Sequence, residues 1–294
     1  MSPLKIRNLS DGFGAEVDGF QYDGEVDSAT HLQLREAFDD RGVLVFRGLD
    51  IDRTAQAYLS ELLIRDNAPT LAEAAALAGK QDGFWISNTE PGAAAPFGRL
   101  LYHKDMMWSP DPFLVNSLYG VDVAPDVVPT LFASSARAWD TLSDALRARV
   151  EGRSAIHVTG PEGFGDRRRA GLDGDVLNNI RETTPSHTTL VGHSHPRTGR
   201  TLLYVSQGMT KGIVGLSEDE SEDLLEELFA HLYRQDNVIE HHWHNGDLVI
   251  WDNLALQHAR AAVAAGGPPR TLRKIGSPIP APSKADELTY QSVG

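Results

Sequence analysis

Apolar residues in this chain fall mostly in short runs bounded by turn residues. Val43-Leu44-Val45-Phe46 lies between Gly42 and Gly48 and predicts a short buried strand. Phe113–Val123, Thr130–Ser134, Leu202–Val205, Leu248–Trp251 and Thr271–Ile275 read as further strands, with Asn245-Gly246 as a turn. Residues 1–26 read as short strands separated by glycine turns at Gly12, Gly14, Gly19 and Gly24. Residues 28–40 read as a helix with Leu32, Leu34, Ala37 and Phe38 on its apolar side and Gly42 ending it. Thr54 to Arg65 and Asp140 to Val150 read as two more helices. The clearest helix opens at Ser217, which forms a capping box with Glu220, and it carries an apolar stripe of Leu224, Leu225, Leu228, Phe229 and Leu232. Short strands outnumber helices, which favours a mainly β fold, an antiparallel sandwich or barrel with helical insertions, over a doubly wound sheet.

Two stretches break this pattern. Residues 66–98 are rich in Ala, Gly and Pro, with one short helix over Leu71–Ala78, and read either as a surface connection or as a lid over a site. Residues 159–187 carry Gly, Asp and Arg with little periodicity and read as an excursion from the core. There is no internal repeat, and residues 1–294 read as a single domain.

Composition narrows the chemistry. The 294 residues hold 41 Asp and Glu against 27 Lys and Arg, a formal charge of −14, and no cysteine. A surface this acidic argues against a nucleic-acid partner. Without cysteine there is no disulfide scaffold, zinc ribbon, thiolate-bound cluster or thiol nucleophile. No apolar run reaches the roughly 18 residues of a membrane span, and the first residues lack the apolar core of a signal peptide. The expectation is a cytoplasmic protein acting on a small molecule; assembly into a homo-oligomer stays open.

The chain has no dinucleotide fingerprint, Walker A sequence, nucleophile elbow or H-E-x-x-H. Redox or Lewis-acid chemistry would therefore rest on His and carboxylates. His103-Lys104-Asp105 places two metal ligands at i and i+2, which share a face if the segment is a strand. That is two-thirds of a 2-His-1-carboxylate triad. A chain of this composition produces about 1.5 such pairs by chance, so the pair alone also reads as a surface pair. Further on, Trp251-Asp252-Asn253 leads to Gln257-His258, and Arg270 follows twelve residues later. Arg270 and Lys274 share a strand face, with Arg273 on the other.

Together these segments resemble the Fe(II)/2-oxoglutarate-dependent dioxygenases of the taurine and 2,4-dichlorophenoxyacetate dioxygenase type, from Gly42 to about Ile275. The resemblance implies a double-stranded β-helix (jelly roll) with helical insertions. It implies that His103, Asp105 and His258 bind iron, and that Arg270, assisted by the Thr130 hydroxyl, holds the far carboxylate of 2-oxoglutarate. Oxidative decarboxylation of 2-oxoglutarate by O2, giving succinate and CO2, would then be coupled to hydroxylation of an unactivated C–H bond. Arg suits the carboxylate because its planar fork donates two charge-assisted hydrogen bonds.

The sequence departs from the family at Lys104, at Met106-Met107-Trp108 and at Val127-Val128-Pro129. Lys274 stands where the family often has a second arginine near a substrate anion, so it is expected to read an anionic group. Met209 matches a substrate-pocket position and reads equally as packing; Arg99 and Tyr102, just before His103, are further substrate-binding candidates. His193 and His195 read as a turn entry, Asp247 and Asp252 as turn formers, and His241, His242 and His244 as a solvated strand edge. Two alternatives remain at this stage: the same iron site with another outcome, such as desaturation or cleavage, and a jelly-roll protein that binds a ligand without turnover.

Overall fold

The structure is a computed structural model and describes residues 4–158 and 185–279. The apolar run β3 (Val43–Phe46) is buried at every position and lies beside β14 (Leu248–Asp252), which is equally buried. They belong to a seven-stranded sheet with β1 (Lys5–Asn8), β2 (Ala15–Asp18), β4 (Trp85–Ser87), β6 (Val115–Val123) and β16 (Arg270–Ser277), in the order β1-β2-β3-β14-β6-β16-β4. Facing it is a four-stranded sheet of β5 (Gly98–His103), β7 (Thr130–Ser134), β13 (Val238–His241) and β15 (Leu256–Val263), in the order β13-β7-β15-β5. Phe132 and Leu256 of the smaller sheet pack with Val45, Leu118, Val249, Trp251 and Leu272 of the larger one. Two stacked sheets with mainly antiparallel pairing and helices outside them form the jelly roll expected from the sequence.

A smaller layer of β8 (Ser154–Val158), β9 (Ser186–Leu190), β10 (Gly192–Ser194), β11 (Thr201–Leu203) and β12 (Thr210–Ile213) flanks this core. Helix α1 (Ser28–Arg41) is capped by Asp27, whose carboxylate accepts from the amides of Ala29 and Thr30, and ends at Gly42 with a left-handed φ of 72°. Leu34 and Phe38 are buried in it, but Leu32 is 57 % exposed; His31 takes the third buried position, with its Nε2 2.8 Å from the Leu62 carbonyl. Of the helix expected over Asp140–Val150, Asp144–Val150 forms α5, and Asp140 instead ends a separate preceding helix, α4 (Ser135–Asp140). Ser134 and Ser143 each cap a new first turn, so the backbone restarts rather than continuing. The last helix, α6 (Glu218–Leu232), carries the expected capping box and buries all five stripe residues.

Residues 66–98 are less of a loop than their composition suggests. Helix α3 (Leu71–Lys80) has its own capping box at Thr70 and packs Ala74 and Ala78 into the core beside α2 (Arg53–Leu62). β4 then pairs with β16 through Thr271↔Ser87 and Leu272↔Ile86. Within this stretch residues 66–70, 81–84 and 88–97 lie outside helix and strand. Of the excursion expected at 159–187, residues 159–184 lie outside the described residues, and Ser186 and His187 belong to β9, paired with β8. No helix among the described residues is long and apolar enough to cross a membrane.

Candidate active site

β15 and β5 pair so that His258 lies directly opposite His103. His103 is the last residue of β5, so Asp105 does not continue that strand face as the i, i+2 argument assumed. Asp105 stands in the turn beyond the strand, followed by Met106 with φ of 59°. The turn is fixed by Asn253 at the end of β14. Its Oδ1 accepts from the Asp105 amide at 3.0 Å, and its Nδ2 donates to the Asp105 carbonyl at 2.9 Å. The carboxylate is brought within 3.8 Å of His103 Nε2 and 4.0 Å of His258 Nε2. One donor atom from each residue lies within 4.8 Å of the others, a spacing that one metal ion can bridge.

The protonation states suit such an ion. His103 Nδ1 lies 2.7 Å from the Leu101 carbonyl, which places its proton there and leaves Nε2 facing the cluster. Burial holds the His103 imidazole below its ordinary value, and burial together with His103 holds His258 further below. Burial acts to raise the Asp105 carboxyl, but Lys274 and the two histidines outweigh it and keep it well below the usual carboxylate range. Asn116 Nδ2 donates to Asp105 Oδ2 at 2.8 Å, and Lys274 Nζ donates to the same oxygen at 2.5 Å.

The cluster opens into a cavity of about 220 Å³ between the two sheets. Arg270 and Thr130 also line it. Arg270 Nη2 donates to Thr130 Oγ1 at 3.1 Å and Nε to the Val128 carbonyl at 3.1 Å. Nη1 is buried and has no partner among the described residues. Burial without a counter-charge is unfavourable to a guanidinium, which stays charged at neutral pH. An unpaired buried donor of this kind fits a dicarboxylate whose other end reaches the metal cluster.

The remaining candidates separate. Lys274 lines the cavity, but its ammonium is engaged by Asp105 rather than standing alone as an anion reader. Met209 is buried with Met107, Leu202, Tyr204 and Leu254 and is not among the cavity-lining residues. Tyr102 points to the other side of β5, where its ring stacks 4.1 Å from Tyr233; Arg99 is exposed, and neither lines the cavity. Asp252 does turn the chain, accepting from the amides of Leu254 and Ala255, but it also holds the buried His195 at 3.0 Å and pairs with Arg197. His241, expected at a solvated edge, is buried 3.3 Å from Asp247. Residues that the sequence reading passed over are Asn116, which steers Asp105, and Arg260, which lines the cavity two residues after His258. With Leu256–Val263 seen as a strand, the i, i+2 spacing from His258 puts Arg260 on the same face.

A jelly roll whose cavity is lined by two histidines, one carboxylate and a buried arginine defines a non-haem iron oxygenase of the 2-oxoglutarate type. Comparison with known proteins agrees. Residues 5–275 match the model of the "Taurine catabolism dioxygenase TauD, TfdA family", and the chain belongs to that family. It is 29 % identical over 266 residues to the (S)-phenoxypropionate/alpha-ketoglutarate-dioxygenase of Sphingobium herbicidovorans, covering 88 % of this chain and 90 % of that one. It is 26 % identical over 277 residues to an alkylsulfatase of Acinetobacter baylyi, covering 92 % and 84 %. Among solved structures it resembles AAD-2 in complex with Mn(II) and N-oxalylglycine, with a TM-score of 0.72 and 25 % identity over 93 % of this chain and 96 % of the other. The chain is a 2-oxoglutarate-dependent dioxygenase, with Fe(II), 2-oxoglutarate and O2 as its cofactor and cosubstrates.

Proposed function

We propose that this dioxygenase hydroxylates an unactivated C–H bond of a small anionic substrate, releasing succinate and CO2. His103, Asp105 and His258 hold the iron, and Arg270 with Thr130 holds the far carboxylate of 2-oxoglutarate. Bound together, Fe(II) and 2-oxoglutarate supply the activation of O2. The chain's own residues do the rest. His103, Asp105 and His258 would hold the metal, and the cavity they line would leave room for the keto acid and O2. Asn253 and Asn116 fix the direction of the Asp105 carboxylate. Phe84, Ile86, Leu100, Leu118 and Trp251 give the cavity an apolar wall that excludes water from the reacting carbon.

The observation that carries the anionic substrate is the charge of the cavity. Three cationic side chains, Arg260, Arg270 and Lys274, line it against one carboxylate, Asp105. A divalent metal and the 2-oxoglutarate dianion add equal and opposite charge, so the positive surplus persists when both are bound. The names of the phenoxypropionate dioxygenase and the alkylsulfatase point to anions as well.

The test is a panel of sulfate esters, sulfonates, aryloxy acids and phosphonates, each beside its neutral alcohol, incubated aerobically with Fe(II)-loaded enzyme and 2-oxoglutarate. Succinate release should rise with an anion and not with its neutral partner. The product should gain one oxygen by mass or be the breakdown product of such a hydroxylated species. Stimulation by the neutral compounds alone would exclude the anion, and loss of two hydrogens would exclude hydroxylation as the outcome.

A further inference from the structure

Arg260 is buried at 4 % exposure on the inner face of β15, opposite Leu100 of β5, one inward step along the strand from His258. At about 3.3 Å per residue that step is roughly 7 Å. Its Nη2 donates to the carbonyls of Ala95 at 2.5 Å and Phe97 at 3.2 Å. Its Nε is buried with no partner, and no carboxylate pairs with it among the described residues. Two neutral carbonyls do not compensate a buried guanidinium, and a buried charge normally has a counter-ion or a polar ligand.

The other cations of the cavity are already committed. Lys274 is bonded to Asp105, and Arg270 is bonded to Thr130 beside the proposed cosubstrate carboxylate. Arg260 is the one whose charge nothing in the proposed catalytic machinery uses. It also borders the walls formed by Ala94, Ala95 and Leu100, so an anion on its Nε would lie against an apolar surface within one small molecule's length of the metal ligands.

We propose that Arg260 binds the anionic head group of the primary substrate, a sulfate ester, sulfonate or carboxylate, through its Nε. This rests on the oxygenase reading of the site. It moves the anion-binding role from β16, where Lys274 stands, to β15. The substrate then enters with its head group beside Ala95 and its carbon chain along the apolar wall toward the histidines. Because the carbonyls of Ala95 and Phe97 are held by the same guanidinium, the segment that covers the head group is positioned by the residue that binds it.

The test uses full-length protein loaded with Mn(II) and N-oxalylglycine, which does not turn over. It is titrated calorimetrically with hexyl sulfate and phenoxyacetate, and with neutral hexan-1-ol and 2-phenoxyethanol. At least one anion should bind tenfold or more tighter than its neutral partner. Arg260→Gln should remove at least tenfold of that preference and change N-oxalylglycine affinity less than twofold, while Arg260→Lys, which keeps the charge, should retain most of it. No anion preference in the wild type would overturn the proposal even if Arg260→Gln failed to fold. An undiminished preference in folded Arg260→Gln would also overturn it, as would an equal loss of N-oxalylglycine binding, which would assign Arg260 to the cosubstrate. Failure of the wild type to take up Mn(II) and N-oxalylglycine would sink the reading of the site itself, and the Arg260 assignment with it.

Discussion

The indole Nε1 of Trp243 donates to Thr130 Oγ1 at 2.9 Å, and Arg270 Nη2 donates to the same oxygen at 3.1 Å. A hydroxyl has two lone pairs and one proton. With both lone pairs taken, the Thr130 proton is available as a donor, and Thr130 lines the cavity where a carboxylate would accept it. On the proposed role of Thr130, Trp243 would act through it as a positioning residue.

Trp243→Phe keeps the aromatic packing and removes the donor. The net worth of one hydrogen bond is about 1 kcal/mol, so the KM for 2-oxoglutarate should rise about fivefold with kcat nearly unchanged. A fall in kcat with KM unaltered would show that the indole serves packing alone.

His103→Ala, Asp105→Ala and His258→Ala should each abolish succinate formation while far-UV circular dichroism stays that of the wild type. Each removes one of the three proposed ligands from a cluster with no fourth His or carboxylate among the described residues. Normal turnover in any of them with Fe(II) resupplied would break the triad assignment.

Arg270 and Arg273 are three residues apart, yet their substitutions should differ in kind. Arg270→Ala should weaken 2-oxoglutarate binding by roughly 2–5 kcal/mol, the range for truncating one partner of a buried charge pair. Arg273 points away from the cavity, donating to Gln56 Oε1 at 2.7 Å and to the Ile51 carbonyl at 2.8 Å. Arg273→Ala should lower the melting temperature and leave 2-oxoglutarate affinity unchanged. Titration of the anaerobic Fe(II) chelate by its visible absorbance separates the two.

His157 gives a pH dependence of stability. Its ring nitrogens lie 3.1 Å from Thr210 Oγ1 and 2.8 Å from Thr189 Oγ1. Burial first, and then the nearby His187, Lys104 and His193, pull it down to about 3 from an ordinary 6.5. Between those values the unfolded chain binds a proton that the folded protein refuses, so stability falls as pH falls through the window. One such group contributes up to about 1.4 kcal/mol per pH unit. Urea titrations of wild type and His157→Gln at pH 6.5, 5.5 and 4.5 should show a shallower loss in the variant; parallel lines would mean that His157 takes no part.

Much of this was legible from residue pattern. The apolar runs at Val43–Phe46 and Leu248–Trp251 were visible as strands because burial on both faces leaves no polar position in them. His103 was visible through the spacing of His103 and Asp105, and His258 and Arg270 through the resemblance to the dioxygenase family, since neither is marked as a site residue by its local pattern. Asp105 was identified for the wrong geometric reason, since its place depends on Asn253, 148 residues away in sequence, which no local pattern encodes. β4 was hidden because three residues among Gly and Pro carry no periodicity, and its strand state comes from β16 alone. Arg260 went unnoticed because a charged residue on a strand reads as solvated until the fold is seen to bury it.

The order of strands in the large sheet has a consequence for biosynthesis. β14 lies between β3 and β6, and β16 lies between β6 and β4, so the later part of the chain fills interior places among its earlier parts. A ribosome that has released only the first two-thirds has exposed β3, β4 and β6 as edges without the neighbours they need. β3 is apolar throughout, and until Leu248 to Ser277 emerge these edges are open to pairing with other chains. Long-range pairing of this kind folds slowly. For this chain, temperature and translation speed should govern the yield of native protein more strongly than the stability of the finished fold.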